Sequence, residues 1–417
     1  MTEHHTTDVC VVGAGPAGLA LSLMLVRSGV RVTLIERAAG FRREFRGEIL
    51  QPGGMDVLDE LGVLGAARDR GSRPHRGFQL IDGRRTLLDI DYHRLGGPHA
   101  HLLAIGQQHI LEELLTACRR HASFTYLGGH RVNELVREGG RFTGVVADGP
   151  RGVTAAVRAA FVVGADGRYS RTRRLAGIDA GRMDVFDQDV VWFKVDAPGR
   201  TVDRVRVHRA AGQAVLVHSS YPDRLQIGWT VPHRSWNELA ARGLPAIKAR
   251  LTSALPEFAD LIEDQLGSLA DLKLLDVFAG RAAEWVRDGL VLIGDAAHTH
   301  SPLGAQGINL ALQDAAVLHP VLLDALQDAG SGTRTLEGYT ALRARAIDAV
   351  FRFQTIQSKV MLARPNPVAD TVRPLLAGLV TRSPLGGVLT RRIAHGRTPV
   401  RVRTDLFTTP HSPKARA

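Results

Sequence analysis

The sequence predicts an α/β fold in which a nucleotide-binding unit is interleaved with a second unit built on a mostly antiparallel sheet. Three observations predict it. A glycine-rich turn, Gly13-Ala14-Gly15-Pro16-Ala17-Gly18, stands near the start between an apolar run and a helical pattern. Two more turns, Gly164-Ala165-Asp166-Gly167 and Gly294-Asp295-Ala296-Ala297-His298, each follow a short apolar run much later in the chain. Between them, parts of residues 183–280 alternate apolar and polar positions with the period of a strand. One long ligand gripped by distant segments explains the three turns better than three unrelated loops.

Composition sets the outer limits. A chain of 417 residues is long enough for two domains with large cores. Its 44% hydrophobic and 23% charged residues are ordinary for a soluble protein. The apolar runs are too short and interrupted to span a membrane, and residues 1–8 show no secretory signal, so a cytoplasmic protein without stable membrane insertion is expected. Cys10 and Cys118 are the only cysteines and suggest neither a metal site nor a disulfide scaffold. The formal charge of +11 is mostly arginine and partly concentrated after residue 373. No zinc module or RNA-recognition signature accompanies it, so nucleic acid is not an expected partner.

Taken in order, Thr7 to Val12 reads as a buried strand, Leu19 to Arg27 as a helix and Val30 to Ile35 as the next strand. Gly13 permits the tight turn, Gly15 admits a pyrophosphate close to the backbone, and Gly18 lets helix and sheet approach. Pro16 suits the helix start, whose amides and dipole favour phosphate. Glu36 closes the second strand as a ribose acceptor, with Arg37 beside it as a further nucleotide contact. An acid there opposes a ribose 2′-phosphate, so the resident nucleotide is not expected to be NADP. An adenine dinucleotide is.

The later motifs repeat the pattern. Phe161 to Val163 forms a core strand, and Gly164 and Gly167 allow close approach. Asp166 is an acceptor, with Arg173 as a charge partner; the alternative is an ordinary strand-to-helix turn with Ser170 as cap. Leu290 to Ile293 forms another strand and Ile308 to Leu323 a helix. His298 is read as a loop or packing residue rather than a base.

With these three motifs in this order, residues 7–360 resemble the single-component FAD-dependent aromatic hydroxylases (para-hydroxybenzoate hydroxylase-like) and the related ubiquinone-pathway hydroxylases and squalene epoxidases. The resemblance implies a Rossmann-like FAD-binding domain interleaved with a mostly antiparallel-sheet substrate domain. It implies that Asp166 and Gly167 lie near the FAD pyrophosphate, in a segment linked to reduced nicotinamide binding. Asp295 then bonds the ribityl chain, the stretch with Gly304, Gly307 and Asn309 packs against the isoalloxazine and pyrimidine edge, and Pro302 stiffens the turn. Arg46 faces FAD, with Arg43 nearby, and Gln107 lies beside flavin and phosphates, with Gln108 as an adjacent competitor. Arg46 to Gly54 looks especially like squalene epoxidases, which points to an apolar terpenoid or polyketide substrate. The lysine and paired-tryptophan pattern of flavin halogenases is not matched: the first lysine is Lys194, and Trp229 has no partner two residues away.

The expected domains are 1–73, 103–182 and 281–370 for FAD, 74–102 and 183–280 for substrate, and 371–417 as a helical cap and tail. Trp192, Phe193, Tyr221 and Trp229 are aromatic pocket candidates, and Arg206 and His208 are candidates for an acidic or phenolic substrate. Core packing and a solvated face are the competing readings. The implied activity is hydroxylation or epoxidation of an apolar or aromatic small molecule. It would use O2 and NADPH or NADH, through a flavin C4a-hydroperoxide on tightly but noncovalently held FAD. No catalytic acid–base residue is assigned. An FAD-dependent dehydrogenase or reductase without oxygen insertion, or a noncatalytic flavoprotein, are the alternatives.

Overall fold

Residues 1–41, 48–183, 188–210, 212–328, 332–362 and 384–408 are described by the computed structural model. The strand Thr2–Val12 lies at the centre of an eight-stranded sheet. Thr154–Gly164 and Val32–Glu36 flank it, followed by Leu290–Leu292 and Phe124–Gly128, and all these pairings are parallel. Their inner residues run almost continuously apolar, from Val9 to Val12 and from Phe161 to Val163. Strands of a parallel sheet read this way when both faces are covered. The helix Pro16–Arg27 supplies one cover and packs against Gln107–Cys118 and Gly307–Gln327.

The first strand begins earlier than its apolar pattern. Its polar start pairs through the backbone with Thr154 to Ala159, which needs no buried side chains. A hairpin of Arg131–Glu138 and Arg141–Asp148, absent from the sequence reading, continues that edge antiparallel to the long strand Thr154–Gly164.

The second sheet has seven strands, drawn from residues 77–91, 188–232 and 273–275. Its pairings are antiparallel except that of Gly77–Asp82 with Arg204–Ala210. Alternation divides its faces. Val191, Phe193, Val195, Ile227 and Trp229 pack on one side with Ile247, Leu251 and Ile262 of the helices Leu244–Ala254 and Ala259–Gln265. Val190, Trp192, Val207 and Leu216 face the other way, into a separate cluster. The helices Gly332–Met361 and Pro384–His395 stand beside that second face, each contributing to the cavity described below. No helix among the described residues is long and apolar enough to cross a membrane.

Candidate functional site

The three glycine-bearing turns lie side by side. Val12 is in register with Gly164, and Gly164 with Leu292, so three adjacent parallel strands end at one edge of the sheet. Each turn begins there, where open α/β sheets bind ligands. Backbone bonds tie them together: Gly13 donates to Ile35 at 2.7 Å, Ala165 to Val12 at 2.8 Å and Ile293 to Gly164 at 3.0 Å.

Two glycines are required by sterics. Gly13 has φ +108°, and a β-carbon there would sit 2.5 Å from the Ala165 carbonyl oxygen. A β-carbon on Gly18 would lie 2.0 Å from the Gly13 carbonyl oxygen. Glu36 fixes the same turn, since its carboxylate accepts the Ala14 amide at 2.8 Å and the Ala38 amide at 3.0 Å.

The middle turn is organised differently from the charge pairing considered above. Asp166 caps the short helix Arg171–Leu175, accepting the amides of Arg171 at 2.8 Å and Thr172 at 2.9 Å. Ser170 also caps, accepting the Arg173 amide at 2.9 Å. Arg173 therefore turns away from Asp166. It donates to the carbonyls of Ala296 at 2.7 Å and Arg168 at 3.2 Å, linking the middle turn to the late one.

The late turn is anchored from beneath. Gly294 donates its amide to Asp314 at 2.8 Å, His298 Nε2 lies 2.6 Å from the same carboxylate, and Arg343 Nε donates to it at 2.7 Å. Burial pushes the Asp314 carboxyl up, but His298 and Arg343 overcome this and hold it below the usual carboxylate range. An ionised Asp314 makes His298 Nε2 the donor. His298 Nδ1 lies 3.1 Å from His300 Nε2. His298 is fully buried and anchors the turn through Asp314. Asp314 and Arg343 were missed by sequence reasoning. The one signal was that Asp314 stands among buried positions of a largely apolar helix.

A cavity of about 840 Å³ runs along this edge. Gly13, Gly15, Glu36 and Arg37 line one end, Asp166, Gln107 and Asp295 the middle, and Pro302, Gly304 and Gly307 the far part. Gly15 precedes the helix Pro16–Arg27, and Gly307 begins Gly307–Gln327. A β-carbon on Gly307 would meet nothing within 4 Å, and one on Gly15 only the Ala165 oxygen at 4.0 Å. Two helix starts thus present bare backbone to the cavity, with amides and dipole favouring negative charge. The loop at the far end is held by Gln51, which donates to the Gly304 carbonyl at 2.7 Å and accepts from Tyr92 at 3.0 Å. Gln354 donates to the carbonyls of Ser301 at 3.0 Å and Leu303 at 2.8 Å. Neither glutamine was singled out from sequence.

The remaining sequence candidates divide. Gly18 lies beneath the first turn rather than on the cavity. Arg46 and Arg43 lie outside the described residues. Asn309 does not line the cavity: its side chain is buried toward Gly53 and Gly54, with Nδ2 donating to Gln306 at 3.1 Å. Of the substrate candidates, only Trp192 lines it.

The other assignments are corrected by strand phase. Trp229 and Phe193 lie on the helix-packed face, and Trp229 Nε1 donates to Gln213 at 3.2 Å. Val205 and Val207 face the cavity, so Arg206 and His208 between and beyond them face away, toward Glu257 at 3.2 and 3.8 Å. Tyr221 ends outside the sheet face, 54% exposed beside Gly71. In place of these, Leu80, Val190, Leu216, Gln226, Gly228 and Thr230 form the second wall with Trp192. His218 joins them, and burial lowers its imidazole to about 3, so it is neutral near pH 7.

The family description "FAD binding domain" matches residues 6–354. The chain belongs to this FAD-binding family. The 6-methylpretetramide 4-monooxygenase of Streptomyces rimosus is 52% identical over 401 residues, covering 96% of this chain and 95% of that protein. The rifampicin monooxygenase of Streptomyces venezuelae is 31% identical, over 96% and 80%. Among solved structures, p-nitrophenol 4-monooxygenase from Pseudomonas putida superposes with TM-score 0.74 at 21% identity, covering 94% of this chain and 97% of that one. The OxyS anhydrotetracycline hydroxylase of Streptomyces rimosus gives 0.72 at 23%, over 93% and 76%. These two likenesses concern the fold. The protein is an FAD-dependent monooxygenase. The bare helix starts and the elongated cavity fit that cofactor, with room for a long dianionic pyrophosphate where a side chain would otherwise stand.

Proposed function

We propose that this FAD-dependent monooxygenase hydroxylates a polycyclic aromatic polyketide in the cytoplasm, with O2 as oxygen donor and NADPH or NADH as transient reductant. The observation that carries the reading is the continuity of the cavity. One space joins the three strand-end turns to a largely apolar sheet face. A cofactor held along the turns would present its reactive end to a substrate lying on that face. The 52% identical relative, whose name specifies a polyketide substrate, supports the substrate class.

When bound, FAD supplies the oxygen-activating redox chemistry. The chain's own residues do the rest. Gly13 and Gly15 leave the backbone open to the pyrophosphate, and the start of Pro16–Arg27 offers it amides. Glu36 would accept from the adenosine ribose, with Arg37 nearby. Asp295 would accept from the ribityl chain. Pro302, Gly304 and Gly307 would form the surface against the ring, and the start of Gly307–Gln327 would favour negative charge on it. Leu80, Val190, Val207 and Leu216 exclude water from the substrate side, which strengthens the polar interactions left inside. Trp192 offers a flat surface to fused aromatic rings.

The test is oxygen-18 incorporation. Turnover of a polycyclic polyketide phenol with labelled O2 and either nicotinamide should place one labelled oxygen in the product. Substrate-stimulated nicotinamide oxidation with unlabelled product would replace this reading with a dehydrogenase or an uncoupled oxidase.

A further inference from the structure

Glu48 stands where the cofactor and substrate walls meet. Three residues later, Gln51 holds the Gly304 carbonyl, so the segment carrying Glu48 is fastened to the ring-side loop. From the opposite wall, Lys194 donates to Glu48 Oε1 at 3.0 Å and lies 2.9 Å from Oε2. Lys194 follows Trp192 and Val190 at strand period, so all three project from one side of Gln188–Asp196. Gln226, directly across from Lys194, lines the main cavity.

A second cavity of about 240 Å³ lies behind this pair. Glu48 lines both spaces, while Lys194 lines only the second, so Glu48 stands between them. The other carboxylates on the main cavity belong to the cofactor turns: Glu36 and Asp166 hold backbone amides, and Asp295 lies on the late turn near Arg168. Glu48 alone among them sits against the substrate sheet. The charged or titratable neighbours facing it are Lys194, the neutral His218 on the sheet, and His109, Tyr221 and Arg70 across the second cavity; Arg70 is itself paired with Glu112 and Glu113.

Building on the hydroxylase reading, we propose that Glu48 is the acid–base residue that takes the hydroxyl proton of a phenolic or enolic substrate. Lys194 is its positioning partner, and the second cavity is the path by which the proton leaves. The substrate O–H bond breaks, the proton bonds to a Glu48 carboxylate oxygen, and the electron pair stays on the substrate oxygen. The resulting phenolate donates electron density into the ring and prepares it for an electrophilic oxygen. Water in the second cavity then takes the proton from Glu48 to solvent. Lys194 holds the Glu48 carboxylate in place before the transfer and, once the proton has moved, balances the new phenolate charge. A substrate hydroxyl adjacent to the reacting carbon is the recognised feature.

The test binds a hydroxyanthraquinone, whose ionised form absorbs at longer wavelength, to the FAD-loaded protein across a pH series. Replacing Glu48→Gln should lower the pH at which the bound ligand ionises by about one unit or more, because the carboxylate that repels the phenolate is gone while Lys194 remains. It should lower kcat by about a hundredfold while KM changes little, with Glu48→Asp restoring part of both. Lys194→Met should lower kcat by about tenfold with little change in KM, and Lys194→Arg should restore part of it, a pattern that a purely structural lysine would not produce. Retained flavin absorbance and melting temperature establish that each variant is folded. Ionisation of the bound ligand at the same pH in Glu48→Gln and wild type would overturn the assignment. Because that readout needs no turnover, unlabelled product from the wild type would count against the hydroxylase reading separately.

Discussion

The two walls of the cavity are built by different means. The cofactor wall consists mainly of backbone, exposed where three parallel strands end in glycine-bearing turns. The substrate wall is one face of a largely antiparallel sheet, and its chemistry lies in side chains that alternate with core residues. A backbone site demands particular residues at particular spacings. A sheet face demands only that every second residue point inward. The first wall should therefore fail catastrophically when a glycine is changed, and the second should fail by degrees.

The largest expected effect tests the first wall. A Gly18→Val side chain would collide with the Gly13 carbonyl at the position where a β-carbon lies only 2.0 Å away. The variant should lose more than about 4 kcal/mol of stability, read as loss of soluble protein or a collapsed melting temperature. Nearly as large is Asp314→Asn, which leaves Arg343 and His298 buried without their carboxylate. Breaking such a pair costs about 3–5 kcal/mol, measurable by denaturant unfolding. Trp229→Ala belongs to the same range, about 3–5 kcal/mol, because that ring is packed behind the sheet. A catalytic defect in Trp229→Ala without a stability loss would invert the assignment of faces.

The substrate wall gives smaller effects. Trp192→Ala should reduce kcat/KM about tenfold, equivalent to about 1.4 kcal/mol, with the melting temperature nearly unchanged. Buried histidines on both walls set a pH response. The folded state holds His218 at about 3 against an ordinary value of 6.5, and burial lowers His300 in the same direction. Between those values the unfolded chain binds the extra proton, so stability falls as pH drops below about 6.5 and the loss continues toward pH 3. Melting temperatures from pH 7.5 to 4.5 should show this slope, and His218→Leu should flatten part of it. Smallest is Arg206→Ala. Its ion pair with Glu257 is partly exposed and lies on the outer face, so a change within about 1 kcal/mol and unaltered kcat are expected.

This contrast also explains what the sequence disclosed. The first turn was legible in detail because Gly13 needs a positive φ and Gly18 a close approach, requirements that few other residues meet. The middle and late turns were legible as glycine-bearing turns after strands, which the structure brings to the same sheet edge, but the supports beneath them were not. Asp314 and Arg343 meet the late turn from helices distant in sequence, and nothing local marks either as its partner. Trp192 and Trp229 illustrate the substrate wall. Both are aromatic residues in apolar strands, and only the phase of each strand decides which ring faces the cavity. That phase is set by the helices packed behind the sheet, which strand periodicity alone does not reveal. Asn309 failed for a related reason. It starts a helix beside the ring-side loop, but the helical rotation turns its side chain toward Gly53 and Gly54 instead.

The central claim is that the three strand-end turns together hold a single FAD. The most direct test is the flavin content and FAD affinity of Gly15→Leu compared with wild type, read by flavin absorbance and fluorescence. Gly15 has φ −81°, which leucine adopts without strain, and its side chain would occupy cavity space rather than core. The expected result is a folded protein with an unchanged melting temperature when flavin-free, and FAD binding weakened by at least about a hundredfold (about 2.7 kcal/mol). Wild-type flavin loading and affinity in Gly15→Leu would show that the cofactor does not pass over the first turn, and would contradict the account.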